Sequence, residues 1–527
     1  MNQREHRSIY LSVRAWGHAV CLLLLCAVLL AAAWDKSGQL QYPYPLDDSY
    51  IHLSIADTWA AHGIPSPNAS RPAFSSSSPL YSAILAFLAA GSAAWVYWPL
   101  VIGIITGLLL LFVLFSIIRK EFTNASGVFL WTILLTGPVP LLMVLGMEHI
   151  LHVFVCLLFF MEIRAQLQAS ESGLWKVLIL AFLVTSLRYE GIFLIAASCI
   201  ILIASGKKQP SFFALSGGTF AIFLSGLVSV ASGSTFFPLS LLMKGHLPGF
   251  SLVELLSFLE AVLTRLYEHP FMFVILSISA IGWAGKDIFA NQTRRLAAIL
   301  QITSWGQVLF AEIGGYRYEA WLVILHGVLL LLMLAPYRQR LKNRHLPGFS
   351  WLLLPLLIRS LYFTINYPVS VKNIFEQSIQ TGQFISQYLD SESVAIQDIG
   401  AACFLSDFEM TDLAGIGDQE INTLFRNRAF NPASVEKILI NREVKFAVIQ
   451  QAWMGWIIPD HWIAAGCWTL PDAFIVPNAE VFFWASDSVG FEYLVSSLRE
   501  YREQLPRSVI ESGPYVERPL PEIAFLP

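Results

Sequence analysis

The chain has 527 residues, 56% of them hydrophobic and only 13% charged, with a formal net charge of -4. Soluble domains carry about 25% charged residues, so this composition, with a mean hydropathy of +0.60, describes an integral membrane protein. Binding nucleic acid needs a concentrated positive patch; the sequence has no long basic run, which excludes that class of partner.

Arg4, Arg7 and Arg14 precede an apolar run over residues 15–34, and roughly 20 such residues cross a bilayer. No convincing small-residue cleavage site follows, so the run reads as an uncleaved signal anchor with a cytoplasmic N-terminus. The next stretch, Tyr42-Pro43-Tyr44-Pro45-Leu46-Asp47-Asp48-Ser49-Tyr50-Ile51-His52-Leu53, is then outside. Ile51, Ile55 and Trp59 recur at helical spacing, and Gly63 and Pro65 supply a stop. A helix of about four turns is expected here, lying on the outer leaflet. Asp47 and Asp48 stand at its start, where an acid commonly caps the first backbone N–H groups. A cap accounts for one acid and not two.

The segment over residues 79–90 is apolar but short. Were it a span, the next run would carry Arg119-Lys120 to the outer face, so it reads as an interfacial helix. Spans follow at 95–118, 127–145, 150–163, 174–187, 191–205, 211–231, 270–289, 296–312, 319–336 and 349–366, making about eleven. Arg119-Lys120, Arg164, Lys207-Lys208, Arg294-Arg295 and the cluster Arg338, Arg340, Lys342 and Arg344 then all fall on the inner side. The outer segments hold Asp47-Asp48, Gly146-Met147-Glu148-His149, Arg188-Tyr189-Glu190-Gly191, a loop ending in Lys244, and Gly314-Gly315-Tyr316-Arg317-Tyr318-Glu319.

From about residue 367 the composition turns soluble. Val394-Ala395-Ile396 and Phe446-Ala447-Val448-Ile449 read as buried strands, with a helix over 433–442 between them. Residues 1–367 are thus expected to form the membrane domain and 368–527 an extracytoplasmic α/β domain. Cys21, Cys26, Cys156 and Cys199 lie in apolar runs and read as packing; a disulfide between Cys403 and Cys467 stays open. Trp453, Trp456, Trp462 and Trp468 could stack on a glycan or fill the domain core.

Each outer charge has an ordinary reading. Glu148 with His149 could start a helix, Glu190 could pair with Arg188, Lys244 could snorkel to water, and Arg317 with Glu319 could be a surface pair worth little. Ionisable residues near membrane depth are costly, however, and usually face a cavity or a partner. Their gathering on one side favours a shared site, whereas His326, without such company, reads as structural.

These residues carry a resemblance. Asp47-Asp48-Ser49-Tyr50-Ile51, Ser77-Ser78-Pro79-Leu80, Gly146-Met147-Glu148 and Arg188-Tyr189-Glu190-Gly191 resemble, in order, the motifs of GT-C glycosyltransferases, nearest the actinobacterial arabinofuranosyltransferase-like group. Asp398-Ile399-Gly400 and Asp412-Leu413-Ala414-Gly415 resemble that group's extracytoplasmic domain, while His149 and Tyr189 stand where Thr and Pro are usual. The resemblance implies a polytopic α-helical membrane protein of GT-C type, with juxtamembrane helices in its first outer loop, in the inner (plasma) membrane. It also implies inverting transfer of a sugar from a polyprenyl-phosphate donor to an extracytoplasmic glycan, lipid or protein acceptor.

In that chemistry a carboxylate takes the proton of the attacking hydroxyl, a role given first to Asp47 and second to Asp48. Cations stabilise the departing phosphate, here Arg188, Lys244 and Arg317. Glu148, Glu190, His52, His149, Tyr50 and Glu319 would orient these cations or the sugar, and a divalent metal ion is an option that some relatives use. The alternative is a transporter or flippase of a lipid-linked or anionic substrate; such proteins place charges near the midplane, often in two related halves. Neither feature is visible in this sequence, which favours the enzyme.

Overall fold

The computed structural model describes residues 3–91, 95–122, 126–168, 173–245, 251–337 and 347–521; the basic cluster Arg338, Arg340, Lys342 and Arg344 lies outside them. Helices run in chain order as α1 (Gln3–Ser37), α2 (Asp47–His62), α3 (Pro79–Ala89), α4 (Trp98–Glu121), α5 (Ser126–Thr136), α6 (Val139–Met143), α7 (His149–Leu167) and α8 (Leu174–Leu187). They continue as α9 (Gly191–Ala204), α10 (Lys208–Ala231), α11 (Leu239–Lys244), α12 (Leu252–Glu268), α13 (Phe271–Ala284), α14 (Asn291–Phe310) and α15 (Ala320–Leu334). A further helix spans Pro347–Ile365 before the sheet-containing part.

Each expected span overlaps helix, but 127–145 is divided between α5 and α6 and the helix expected over 270–289 ends at Ala284. By length and apolarity, five of the helices among the described residues are able to cross a membrane, or up to seven counting each of two bent pairs as one span. The chain is thus a multi-pass membrane protein with a C-terminal α/β domain. Residues 126–136, 174–187 and 191–204 are apolar but shorter than a full crossing, as is α3.

Packing divides the chain into two compact units. The first comprises Met1–Leu29, Pro99–Leu224 and Lys244–Ile365. At its centre is α15, in which every residue from Ala320 to Leu334 is buried. A helix apolar on all sides belongs inside a bundle rather than at its surface, which its sequence AWLVILHGVLLLLML satisfies. His326 on this helix bonds through Nδ1 to the Leu322 carbonyl at 2.8 Å, the structural use expected of it.

The second unit joins Leu30–Trp98 and Ser225–Met243 to Asn366–Pro527. It is built on a six-stranded sheet of order β2-β1-β3-β5-β4-β6, where β1 is Ser393–Ile396, β2 Glu409–Asp412, β3 Phe446–Gln450, β4 Ile463–Thr469, β5 Glu480–Ala485 and β6 Ile510–Ser512. β1 pairs in parallel with β2 and β3, and the remaining pairs are antiparallel. Every residue of β1 and β3 is buried, and every residue of β2 after Glu409, because both faces of the sheet are covered. Val394, Ile396, Phe446 and Val448 enter one core with Phe384, Leu494 and Tyr501; Ala395, Ala447 and Ile449 enter the other with Ile421, Val435 and Leu439. Trp468 packs into the first core and Trp462 into the second, whereas Trp456 is exposed. All six cysteines are free, so Cys403 and Cys467 form no disulfide.

The first-loop helix forms as expected, ending at Gly63 with φ +74°. Its surroundings differ from the expectation. Ser49, Tyr50, His52, Leu53, Ile55 and Ala56 are all buried, and Ile51 packs against the core of the α/β domain. The apolar stripe serves protein packing within this unit.

Candidate functional site

In the first unit the charged residues collect around Arg188. The chain must turn sharply between α8 and α9, and Gly191 permits this: a Cβ there would fall 2.9 Å from the Val184 carbonyl oxygen. Arg188, extended at the end of α8 and buried, donates through Nη1 to Glu148 Oε1 at 2.5 Å and through Nη2 to Glu190 Oε1 at 2.7 Å. Its Nη1 also approaches His149 Nε2 at 3.2 Å. Guanidinium can only donate, so Nε2 is the acceptor and His149 is the neutral imidazole with its proton on Nδ1, 3.6 Å from Glu148 Oε1. Burial pushes the Glu190 carboxyl up, but Arg188 beside it more than offsets this and holds it below the usual range.

Tyr318 links the other cations to this group. The Arg188, Lys244 and Arg317 charges lie 5.3, 5.9 and 4.9 Å from its ring centroid, within the range in which a cation is drawn to an aromatic face. Its hydroxyl accepts from Arg317 Nη2 at 3.0 Å and from Lys244 Nζ at 3.5 Å, and the His149 ring meets its own at 5.9 Å. Three cations thus share one aromatic ring, with Glu148 and Glu190 both on Arg188. Such a group suits an anion.

Glu319 is used otherwise. It is fully buried, accepts the Gly314 N–H at 2.9 Å and pairs with Arg359. It thereby fastens the loop containing Gly314, Gly315 and Tyr316, all at positive φ, which presents Arg317 and Tyr318. The expected pairing of Glu319 with Arg317 gives way to one with Arg359, because a guanidinium on an apolar helix needs a buried counter-charge. Sequence reasoning passed over both Arg359 and Tyr318. A lone arginine within the apolar 349–366 run was the available signal for the first.

In the second unit Asp47 and Asp48 are the first two residues of α2, whose N-cap is Leu46. Asp47 does not cap its own helix. Its Oδ2 accepts the Gly400 N–H at 2.8 Å and its Oδ1 the Ala401 N–H at 3.0 Å. Gly400 is required for this approach, since a Cβ would fall 2.2 Å from the Asp47 carbonyl oxygen. Burial, reinforced by the charge of Asp48 and opposed by the two amides, pushes the Asp47 carboxyl up to about 6.

Around it are the carboxyl ends of the parallel strands, where open α/β sheets present their polar groups. Asp398 follows β1, and its Oδ2 accepts from Gln450 Nε2 at 2.6 Å. Burial and then the charges of Asp47, Asp48 and Asp412 hold Asp398 well above the carboxylate range. Asp412 closes β2 and accepts the amides of Ala414 at 2.8 Å and Gly417 at 2.6 Å; burial pushes it up to about 7. Gln450 ends β3 and donates also to Gln377 Oε1 at 3.0 Å.

His52 and Tyr50 serve packing on the observed contacts. His52 Nδ1 lies 3.2 Å from Ser82 Oγ, which lies 2.8 Å from Ser76 Oγ, tying α2 to α3 and its serine-rich approach. Tyr50 is fully buried among Tyr42, Tyr44 and Phe404. Glu148 and Glu190 both close on Arg188, and among the described residues no three His, Cys, Asp or Glu side chains gather as metal ligands. The two glutamates therefore do not fit the divalent ion considered for them.

A family described as a domain of unknown function, DUF8728, matches residues 372–491. No curated protein matches the chain. Among solved structures, a crystal structure of ArnT from Cupriavidus metallidurans in the apo state is similar at a TM-score of 0.49 and 12% identity, covering 90% of this chain and 99% of that one.

Proposed function

We propose that the chain is a GT-C glycosyltransferase that moves a sugar, with inversion, from a polyprenyl-phosphate donor to an extracytoplasmic glycan, lipid or protein acceptor. The observation that carries this reading is the gathering of Arg188, Lys244 and Arg317 around Tyr318, at helix ends of a protein whose apolar surface can receive a lipid tail. Arg188 is held between its two glutamates, and Lys244 and Arg317, on the hydroxyl of Tyr318, would take the phosphate.

Asp47 is the base in this reading. The acceptor hydroxyl oxygen bonds to the anomeric carbon as its proton passes to the Asp47 carboxylate; the bond from that carbon to the phosphate oxygen breaks, and its electron pair leaves with polyprenyl phosphate. The Gly400 and Ala401 amides occupy one lone pair of each Asp47 oxygen and fix its direction, leaving a second lone pair on each to accept a proton. The charge of Asp48 helps raise the Asp47 carboxyl.

Purified protein incubated with radiolabelled polyprenyl-phosphate sugars and an acceptor extract tests the reading. Wild type should transfer label, and Asp47→Asn should lose it with the fold retained by circular dichroism. Full transfer by both Asp47→Asn and Asp48→Asn would remove the base assignment. Movement of label across vesicles without acceptor would favour a transporter.

A further inference from the structure

The sequence reading assigned no element to residues 252–268, yet the structure places there one of its most clearly sided helices. α12 opens with a capping box: Ser251 Oγ accepts the Glu254 N–H at 3.2 Å, and the Glu254 side chain accepts the Ser251 N–H at 3.3 Å. Such a box marks an end that reaches polar surroundings. At the other end α12 meets the apolar α13 at 98°, across the two-residue break at His269 and Pro270.

At 3.6 residues per turn the helix divides into three faces. Phe258, Val262 and Leu266 form the packed face, beside which Arg265 Nη1 donates to the Val308 carbonyl at 2.9 Å. Leu252, Leu256, Leu259, Leu263 and Tyr267 form a second stripe, and all five are exposed, Leu263 at 68% and Tyr267 at 86%. Glu254, Ser257, Glu260, Thr264 and Glu268 form most of the third face, with the exposed Val253 and Ala261 as its apolar members.

We infer that α12 is an in-plane interfacial helix whose Leu252–Leu263 stripe rests on the acyl chains of the bilayer at the end of α13. Three observations choose the bilayer as occupant. The apolar stripe continues onto a helix whose own surface is lipid-like, with Phe273, Ile281 and Trp283 exposed. The 98° bend turns α12 nearly perpendicular to α13, so that α12 would lie in the membrane plane where α13 crosses. The acidic third face, opposite in character to the stripe, belongs in water, because glutamates are costly at membrane depth. That face carries no lysine or arginine. Attachment therefore rests on apolar area and not on anionic head groups.

Nitroxide scanning of the full chain in phosphatidylcholine nanodiscs tests this, in a Cys21→Ser background that leaves the five buried cysteines in place. Single substitutions Leu252→Cys, Leu256→Cys, Leu259→Cys, Leu263→Cys, Ser257→Cys, Glu260→Cys and Thr264→Cys are labelled, and collision with oxygen is compared with collision with a water-soluble nickel chelate. The expected result is a several-fold preference for oxygen at the four leucine positions, at one shallow depth from first to last, with the chelate favoured at the other three. Depth increasing steadily along the helix would mean a broken span. Chelate preference at every position would mean a water-facing helix, and exclusion of both reagents from the stripe would mean a protein partner; each overturns the inference.

Discussion

Burying a guanidinium is tolerable only when its donors are met and its charge is opposed, and Arg188 meets both conditions with Glu148 and Glu190. Tyr318 has a different task. Its hydroxyl holds Arg317 and Lys244 while its ring faces three cations. Tyr318→Phe keeps the ring and removes the hydroxyl, so loss of hydrogen bonds to charged groups should cost about 1.5 kcal/mol. That is roughly a tenfold rise in donor KM with kcat little changed, measured by steady-state transfer kinetics. With Asp47 as the proposed base, its carboxyl would set the pH response. A base held at about 6 works when deprotonated, so kcat should fall about tenfold per pH unit below that value. Asp48→Asn removes the like charge that helps raise it and should move this acid limb to lower pH; an unmoved limb would dissociate Asp48 from the base.

At the scale of elements, two contacts decide how well the site parts are held. Gly400 lets the turn after β1 meet Asp47, and Gly400→Ala forces a side chain into backbone atoms, a strain of about 1–3 kcal/mol. Thermal melting should show that loss, together with reduced transfer. Breaking the buried Glu319–Arg359 pair by Glu319→Gln should cost about 3–5 kcal/mol, and the double variant Glu319→Gln, Arg359→Met should recover part of it. Much of this architecture was legible beforehand. Apolar runs mark helices because length and hydropathy suffice, and Val394–Ile396 and Phe446–Ile449 mark strands because their apolar residues feed two cores. Partners distant in sequence were not legible. Nothing in the local pattern around Asp47 points to amides 353 and 354 positions away, or around Glu319 to Arg359. Local periodicity reports which face of an element is buried and not what covers it, which is also why α2 was expected on a leaflet and instead packs against protein.

For the whole molecule, the acids at the strand ends tie the stability of the α/β domain to pH. Asp412 binds its proton at about 7 in the folded protein, against an ordinary value of 3.8. The folded state is therefore the better proton binder between these values, and its stability should rise as pH falls from 8 towards 5. Asp412→Asn should flatten that part of the melting profile. The central claim concerns the chemistry at the membrane, and its most direct measurement is transfer of labelled sugar from polyprenyl phosphate by the purified full-length chain in lipid nanodiscs, comparing wild type, Lys244→Ala with Arg317→Ala, and Asp47→Asn. The expected result is transfer by wild type, a raised donor KM in the cation variant, and bound but untransferred donor in Asp47→Asn. Donor binding and transfer that are unaffected by all of these substitutions would contradict the account.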